Sequence, residues 1–325
     1  MPRILSGIQP SGKLHLGNLT GAVSNWAALQ NKYESFFEIA DLHALTTGYS
    51  DTKDFAKSIR ELAIDLLSAG IDPDKATLFI QSQVPEHSEL HLIFSMMTPL
   101  SWLERVPTYK SKIDELKGVD LATYGFLGYP VLQAADILIY KAELVPVGQD
   151  QLPHLELTRE IARRFNNLYS EVFPEPKEML TNFPVIPGLD ARKMSKSYGN
   201  SIALSDEPEV IRKKVSLAVT DPARIKKDDP GHPDVCVVYC YHRIYGKETA
   251  AEIEKNCKAG TIGCVECKKQ LSEVLVKTLE PARQRRKELE KDPKKVHDIL
   301  EKGRKRASEE ARKTLSEVKK AMNLT

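Results

Sequence analysis

The first stretch able to do chemistry is Leu5-Ser6-Gly7-Ile8-Gln9-Pro10-Ser11-Gly12-Lys13-Leu14-His15-Leu16-Gly17-Asn18. It begins as an apolar strand, crosses a Pro-Ser-Gly turn and enters a helix expected to run through Trp26 to about Lys32. Such a unit aims backbone N–H groups and the positive end of a helix dipole at the turn, where a phosphate can sit. His15 and Asn18 are three apart, so both project from the first helical turn towards one point as neutral donors. Gly12 and Gly17 let a ligand approach the main chain. Neither common nucleotide fingerprint, GxGxxG or the P-loop, is spelled here. A second stretch, Pro184 to Ser197, sets Lys193 and Lys196 in a loop that also holds Gly188, Gly199 and Asn200. A cationic flap of this kind can close on a triphosphate and stabilise charge on the α-phosphorus and the departing pyrophosphate.

Between them, Tyr129-Pro130-Val131-Leu132-Gln133-Ala134-Ala135-Asp136-Ile137-Leu138-Ile139-Tyr140 reads as a helix with an acid among apolar neighbours. A buried Asp136 carboxylate needs donors, because an unpaired one is costly. Gln133 and Tyr129 precede it on the same face; a structural cap or an ion pair with a distant Arg is the alternative. Leu144-Val145-Pro146-Val147 then reads as a short strand ending in Gly148-Gln149-Asp150-Gln151, where the glycine admits a ribose and the Asp can accept from its hydroxyls. All five cysteines lie between residues 236 and 267, and Cys236, Cys257, Cys264 and Cys267 read C-x20-C-x6-C-x2-C. Four thiolates around one zinc ion or one iron–sulfur cluster fit that layout better than scattered core cysteines. Cys240 is spare, though one helical turn from Cys236.

The elements that must position these residues alternate. Ser35–Leu45 reads as a buried strand ending at Asp41 and His43, residues 53–69 as a helix, and Ala76–Gln81 as the next strand. This favours an α/β fold with a parallel sheet. Residues 87–127 are mostly helical, with Met96, Met97, Leu100, Trp102 and Leu103 suited to a core or a subunit interface, and Thr108–Lys112 as a mobile basic loop. From residue 206 onward the pattern is helical, broken at Pro222, Pro230, Pro233 and Pro293.

Two domains are the natural expectation for 325 residues, 41% of them hydrophobic. There is no membrane-length apolar run and no signal pattern, so a cytoplasmic protein without a membrane partner is expected. Net charge is only +2, but residues 281–325 hold 15 Lys/Arg against 8 Asp/Glu, leaving −5 on the rest. A basic tail fits either a polyanion partner or a solvated helix face.

Joined, these stretches resemble the tryptophanyl-tRNA synthetases over essentially the full chain. His15-Leu16-Gly17-Asn18 matches the HxGN form of the class I signature, and Lys193-Met194-Ser195-Lys196-Ser197 matches KMSKS letter for letter. Gly7–Gly12, Tyr129–Leu132, Ala134–Leu138 and Val147–Gln151 carry the tryptophan subtype. The resemblance implies a Rossmann-like catalytic domain over residues 1–200 with a helical insertion near 85–130 at a homodimer interface. It also implies an all-helical anticodon-binding domain over 201–325, with the last helix packing back on the catalytic domain. The implied partners are L-tryptophan, ATP with Mg²⁺, and tRNA(Trp). Implied catalytic residues are His15, Asn18, Lys193 and Lys196. ATP contacts fall on Gln9, Pro10, Ser11, Gly17, Asn18, Gly148, Gln149, Asp150, Val185 and the loop Lys193, Met194, Ser195, Lys196 and Ser197. Asp136 would read the indole N–H, Tyr129 and Gln151 the α-amino group, with Gln133 and His43 nearby. The cysteine spacing resembles that of members carrying a [4Fe-4S] cluster on Cys236, Cys257, Cys264 and Cys267, with Zn²⁺ the alternative. Leu5 departs from a frequent aromatic and Gln133 from a frequent Met. A tyrosine-specific enzyme and a non-catalytic RNA-binding paralogue are the competing expectations.

Overall fold

The structure, a computed structural model, describes residues 1–106, 122–180, 186–226 and 228–324. Five parallel strands, β1 (Arg3–Ile8), β2 (Glu34–Ile39), β3 (Ala76–Ile80), β4 (Leu144–Val147) and β5 (Lys177–Leu180), form one sheet in the order β3-β2-β1-β4-β5. The first three strands step outward and β4 returns to the other side of β1. This reversal opens a crevice at the carboxyl ends of β1 and β4, where ligands of open α/β sheets bind. The central strands are apolar because both faces are covered: Ile4, Phe37 and Leu78 enter one core layer, Leu5, Phe36 and Phe79 the other.

The opening helix forms as α1 (Leu16–Asn18), a π-helical stretch over Leu19–Val23, and α2 (Ser24–Leu29). β2 is shorter than expected. It stops at Ile39, and Asp41 and His43 lie in the first turn of α3 (Asp41–Gly48) instead of at a strand end. An acid at the first turn favours the helix there; Asp41 accepts from Leu42 N–H at 3.1 Å and Ser82 N–H at 2.9 Å. Next come α4 (Phe55–Ser68), α5 (Glu86–Met97), α6 (Leu100–Glu104), α7 (Tyr124–Ile139) and α8 (Leu152–Leu168). Thr108–Lys112 lies outside the described residues. Beyond β5 the described regular elements are helical, the longer ones being α9 (Pro208–Ser216), α10 (Val237–Tyr245), α11 (Ala250–Lys258), α12 (Cys264–Lys291) and α13 (Pro293–Ala321).

Both long helices lie against the sheet unit. On α12, buried Arg286 pairs with Glu61 and with fully buried Asp65 of α4. α13 runs over β3, and Lys302, Arg312 and Lys319 pair with Asp74, Glu86 and Glu89 at 2.8, 2.8 and 2.6 Å. Part of the basic excess of the tail therefore neutralises the acidic body of the same chain. The crossing of α13 and β3 is so close that a Cβ on Gly303 would overlap the Leu78 carbonyl. Gly303→Ala is accordingly expected to cost about 1–3 kcal/mol, read as a fall in Tm. A variant melting with the parent would mean that α13 is not seated on the sheet.

Candidate active site

At the carboxyl end of β1, Pro10 is buried while Gln9 and Ser11 are exposed, and Ser11 N–H closes the turn onto the Gln9 carbonyl at 2.8 Å. Across the crevice, β4 ends at Gly148, with Gln149 and Asp150 exposed. A Cβ on Gly148 would stand 2.6 Å from Asp150 Oδ1, so the exposed Asp150 carboxylate lies directly over the glycine. Asp150 accepts from Gln151 Nε2 at 2.7 Å, which ties the two polar residues together.

The two remote motifs meet at the same place. His15 Nδ1 accepts from Asn18 N–H at 3.3 Å and Asn18 Oδ1 accepts from His15 N–H at 3.2 Å, a reciprocal cap. With Nδ1 accepting, a neutral His15 carries its proton on Nε2. Burial, and then the charge of Lys196, hold its pKa down to about 4, so it is neutral at pH 7. Gly17 N–H points at Met194 Sδ, 3.2 Å away, and Lys196 Nζ donates to the Ser11 carbonyl at 2.9 Å. Burial draws the Lys196 ammonium below its ordinary range, offset in part by Asp65. Lys193 is exposed, Ser195 N–H donates to Asn200 Oδ1 at 2.8 Å, and Ser197 belongs to the turn Lys196–Tyr198. Asn200 also donates to Asp190 Oδ1 at 2.7 Å and the Lys193 carbonyl at 3.1 Å, in the space a side chain on Gly188 would fill. Val185 lies outside the described residues. Behind the first motif, Asp65 accepts from Leu14 N–H at 2.6 Å as well as from Arg286, so a helix of the C-terminal part braces the loop that carries His15.

Asp136 is 1% exposed, as its apolar neighbours predict, but its partners differ from those the sequence offered. They are His43 Nε2 at 2.7 Å, His87 Nδ1 at 2.6 Å and Gln81 Nε2 at 2.9 Å to both oxygens. His87 Nε2 in turn meets Tyr140 Oη at 2.7 Å. Burial works against the Asp136 anion, yet the bonds from His43 and His87 prevail and hold it well below the usual carboxylate range. Gln133 is partly buried and makes none of these bonds, all of which come from His43, His87 and Gln81. Tyr129 Oη lies 3.1 Å from His154 Nε2, and its ring stands edge-on to His43 at 6.3 Å. An apolar cavity of about 430 Å³, bordered by Leu42, His91, Tyr129 and Leu132, opens beside this network.

Four cysteines gather as the spacing predicts. The Cys267 thiol is pushed up to about 12 by burial and then by Cys236, Cys257 and Cys264, and Cys257 likewise is raised by burial and by Cys236 and Cys264. Cys240 senses Cys236 alone among them. Arg224 Nη1 lies 3.9 Å from both Cys257 Sγ and Cys264 Sγ, and its Nη2 donates to the Ile262 carbonyl at 2.7 Å.

A parallel sheet whose switch-point crevice holds an HxGN turn against a KMSKS loop defines the catalytic unit of a class I aminoacyl-tRNA synthetase. The family described as tRNA synthetases class I (W and Y) matches residues 1–280. The chain is 51% identical over 325 residues to a tryptophan–tRNA ligase of Thermotoga maritima, covering 99% of both. It is 47% identical over 393 aligned residues to that of Aquifex aeolicus, covering 99% of this chain and 100% of the relative. The tryptophanyl-tRNA synthetase from Campylobacter jejuni complexed with ADP and tryptophan superposes with a TM-score of 0.90 at 34% identity, over 99% of each chain. The chain belongs to the tryptophanyl-tRNA synthetases, which activate tryptophan with ATP and transfer it to tRNA(Trp).

Proposed function

We propose that the crevice between β1 and β4 is where this reaction runs, with ATP across Gln9, Ser11, Gly17 and Gly148–Asp150 and its phosphates between His15 and the Lys193–Lys196 loop. The observation that carries the reading is the bond from Lys196 to the Ser11 carbonyl, which brings the two motifs onto one turn. The tryptophan carboxylate is already an anion at pH 7, so attack on the α-phosphorus needs no general base. Rate comes from alignment and from charge stabilisation by Nε2–H of neutral His15, Asn18 and the two lysines. Mg²⁺ would ride on the ATP phosphates.

Tryptophan offers the indole N–H as its one polar side-chain handle, and Asp136 accepts it in this reading. So buried an acceptor must exchange a donor for the ligand. His43, whose side chain keeps 9% exposure against 0% for His87, is the one that yields. Tyr129 and Gln151 hold the α-amino group. The test is ATP–pyrophosphate exchange with tryptophan, tyrosine and phenylalanine. Exchange with tryptophan alone is expected; exchange with tyrosine would move the amino-acid assignment, and none would leave an RNA-binding paralogue.

The helical part from residue 201 would face tRNA as a cytoplasmic enzyme's anticodon-binding domain. The exposed Leu92, Met96, Leu100 and Tyr124 of α5–α7 would form a homodimer face. Cys236, Cys257, Cys264 and Cys267 would hold a [4Fe-4S] cluster that orders this part. A zinc tetrahedron with 2.3 Å bonds needs sulfurs about 3.8 Å apart. Among the described residues, however, the one group of ligand atoms all within 4.8 Å of one another is Glu38, His87 and Asp136, so the sulfurs are spread more widely. The thiolate-only ligand set and the resemblance of its spacing support the larger cluster. Protein purified without oxygen is expected to carry about four irons per chain with broad thiolate-to-iron absorption. Cys264→Ser should lose both and Cys240→Ser keep them; stoichiometric zinc instead would refute the cluster.

A further inference from the structure

Glu38 is a buried acid of β2 set among Phe36, Phe37 and Ile39, and the reaction as described gives it nothing to do. It is 3% exposed and its Oε2 has no hydrogen-bond partner. Space for it exists because β1 carries Gly7 in register: a Cβ there would stand 2.6 Å from Glu38 Cγ. Across the core, a Glu38 carboxylate oxygen, a His87 ring nitrogen and an Asp136 oxygen all lie within 4.8 Å of one another. Two buried carboxylates this close cannot both stay ionised without a shared proton or a cation.

We propose that Glu38 is a specificity-determining positioning residue: its carboxyl keeps its proton, donates a hydrogen bond through it to Asp136, and so holds Asp136 as the anion that receives the indole N–H. The proposal rests on the reading of Asp136 as the indole acceptor. The groups facing Glu38 agree with this division of charge. Asp136 from α7 and Asp41 from α3 each disfavour a second negative charge there, after burial itself, and keep Glu38 neutral well above the usual carboxylate range. On the far side, Tyr140 O–H can donate to His87 Nε2 and His87 Nδ1–H to Asp136, so neutral His87 completes the same donor set. A neutral carboxyl also explains the orphaned Oε2, since an unpartnered carbonyl oxygen costs less in the core than an unpartnered carboxylate oxygen.

The experiment is ATP–pyrophosphate exchange with tryptophan and with its benzothiophene analogue, which keeps the shape but lacks the N–H. It uses the full chain as parent, Glu38→Gln, Glu38→Leu and Asp136→Asn, with Glu38→Met replacing the leucine variant if that one does not fold. Glu38→Leu is expected to raise KM for tryptophan about tenfold while kcat, KM for ATP and KM for the analogue stay within about twofold. Glu38→Gln, which still donates, should stay within about twofold of the parent throughout. An unchanged tryptophan KM in Glu38→Leu, or equal damage in Glu38→Gln, would overturn the proposal. So would a tryptophan KM that rises on chelator dialysis and recovers with zinc, which would put a cation where the proton is placed. If Asp136→Asn leaves the advantage of tryptophan over the analogue intact, the acceptor reading itself fails, whatever the Glu38 variants do.

Discussion

Lys196→Ala is expected to lower kcat for tryptophan-dependent ATP–pyrophosphate exchange by about 10²–10³-fold, the usual consequence of removing one donor aimed at developing charge. With no proton to abstract from the tryptophan carboxylate, the enzyme has little to offer except alignment and electrostatics, and Lys196 is a cation held at the crevice turn by the Ser11 carbonyl. Its neighbour cannot replace it. His15 is neutral chiefly through burial, with Lys196 only the second cause, so deleting the lysine leaves a neutral imidazole at pH 7. Lys196→Arg should recover part of the loss, since charge returns but in a planar fork of different reach. Single-turnover adenylate formation separates the chemical step from release. A raised KM for ATP at unchanged kcat would mean that Lys196 contributes ground-state binding only.

What was legible in the sequence was what chain neighbours decide. The HxGN turn, the KMSKS loop and the polar end of β4 announce themselves within a few residues, and the burial of Asp136 follows from its own helix. The partners of Asp136 were not legible. Gln81, His87 and His43 reach it from sequence distances of 55, 49 and 93, and nothing local ties them to it. Gln133 looked suitable because it is close in sequence, yet residues three apart on a helix need not bond to each other when better donors reach the carboxylate from across the core. The bracing of Leu14 by Asp65 and Arg286 spans more than 200 positions and was equally hidden. Glu38 did leave a signal: an acid in the middle of Phe36-Phe37-Glu38-Ile39 is costly enough to need a reason. The misplaced end of β2 has a simpler origin. Asp41, Leu42 and His43 continue the alternation of polar and apolar residues, and the turn into a helix is accompanied by a bond from Ser82, 41 residues away, that the local sequence does not show.

If Asp136 is the indole acceptor, as proposed, its network also changes how tryptophan is selected, and hence what removing it does. With no other donor at hand, a buried Asp136 carboxylate would be left unpaired by phenylalanine and so would reject it. The structure supplies Asp136 with donors before any ligand arrives, so a ligand without N–H leaves His43 in place instead of leaving the anion bare. Selection is then an exchange of one donor for another. Asp136→Ala removes the acceptor for the indole and for His43, His87 and Gln81 together. It is expected to cost about 10³-fold or more in kcat/KM for tryptophan, towards the range seen when a site built for a polar handle loses its pairing. Most of the loss should fall on KM, since Asp136 is remote from the phosphates. The three stranded donors also destabilise the fold, so Tm should fall with activity. Asp136→Asn keeps the volume and one acceptor oxygen while turning two N–H bonds towards His43 and His87. It separates the two effects: a near-parental Tm with a large rise in KM for tryptophan and an unchanged KM for ATP places the loss in indole recognition. A parallel rise in both KM values would instead make Asp136 a scaffold for the whole crevice, and tryptophan would have to be read elsewhere on the chain.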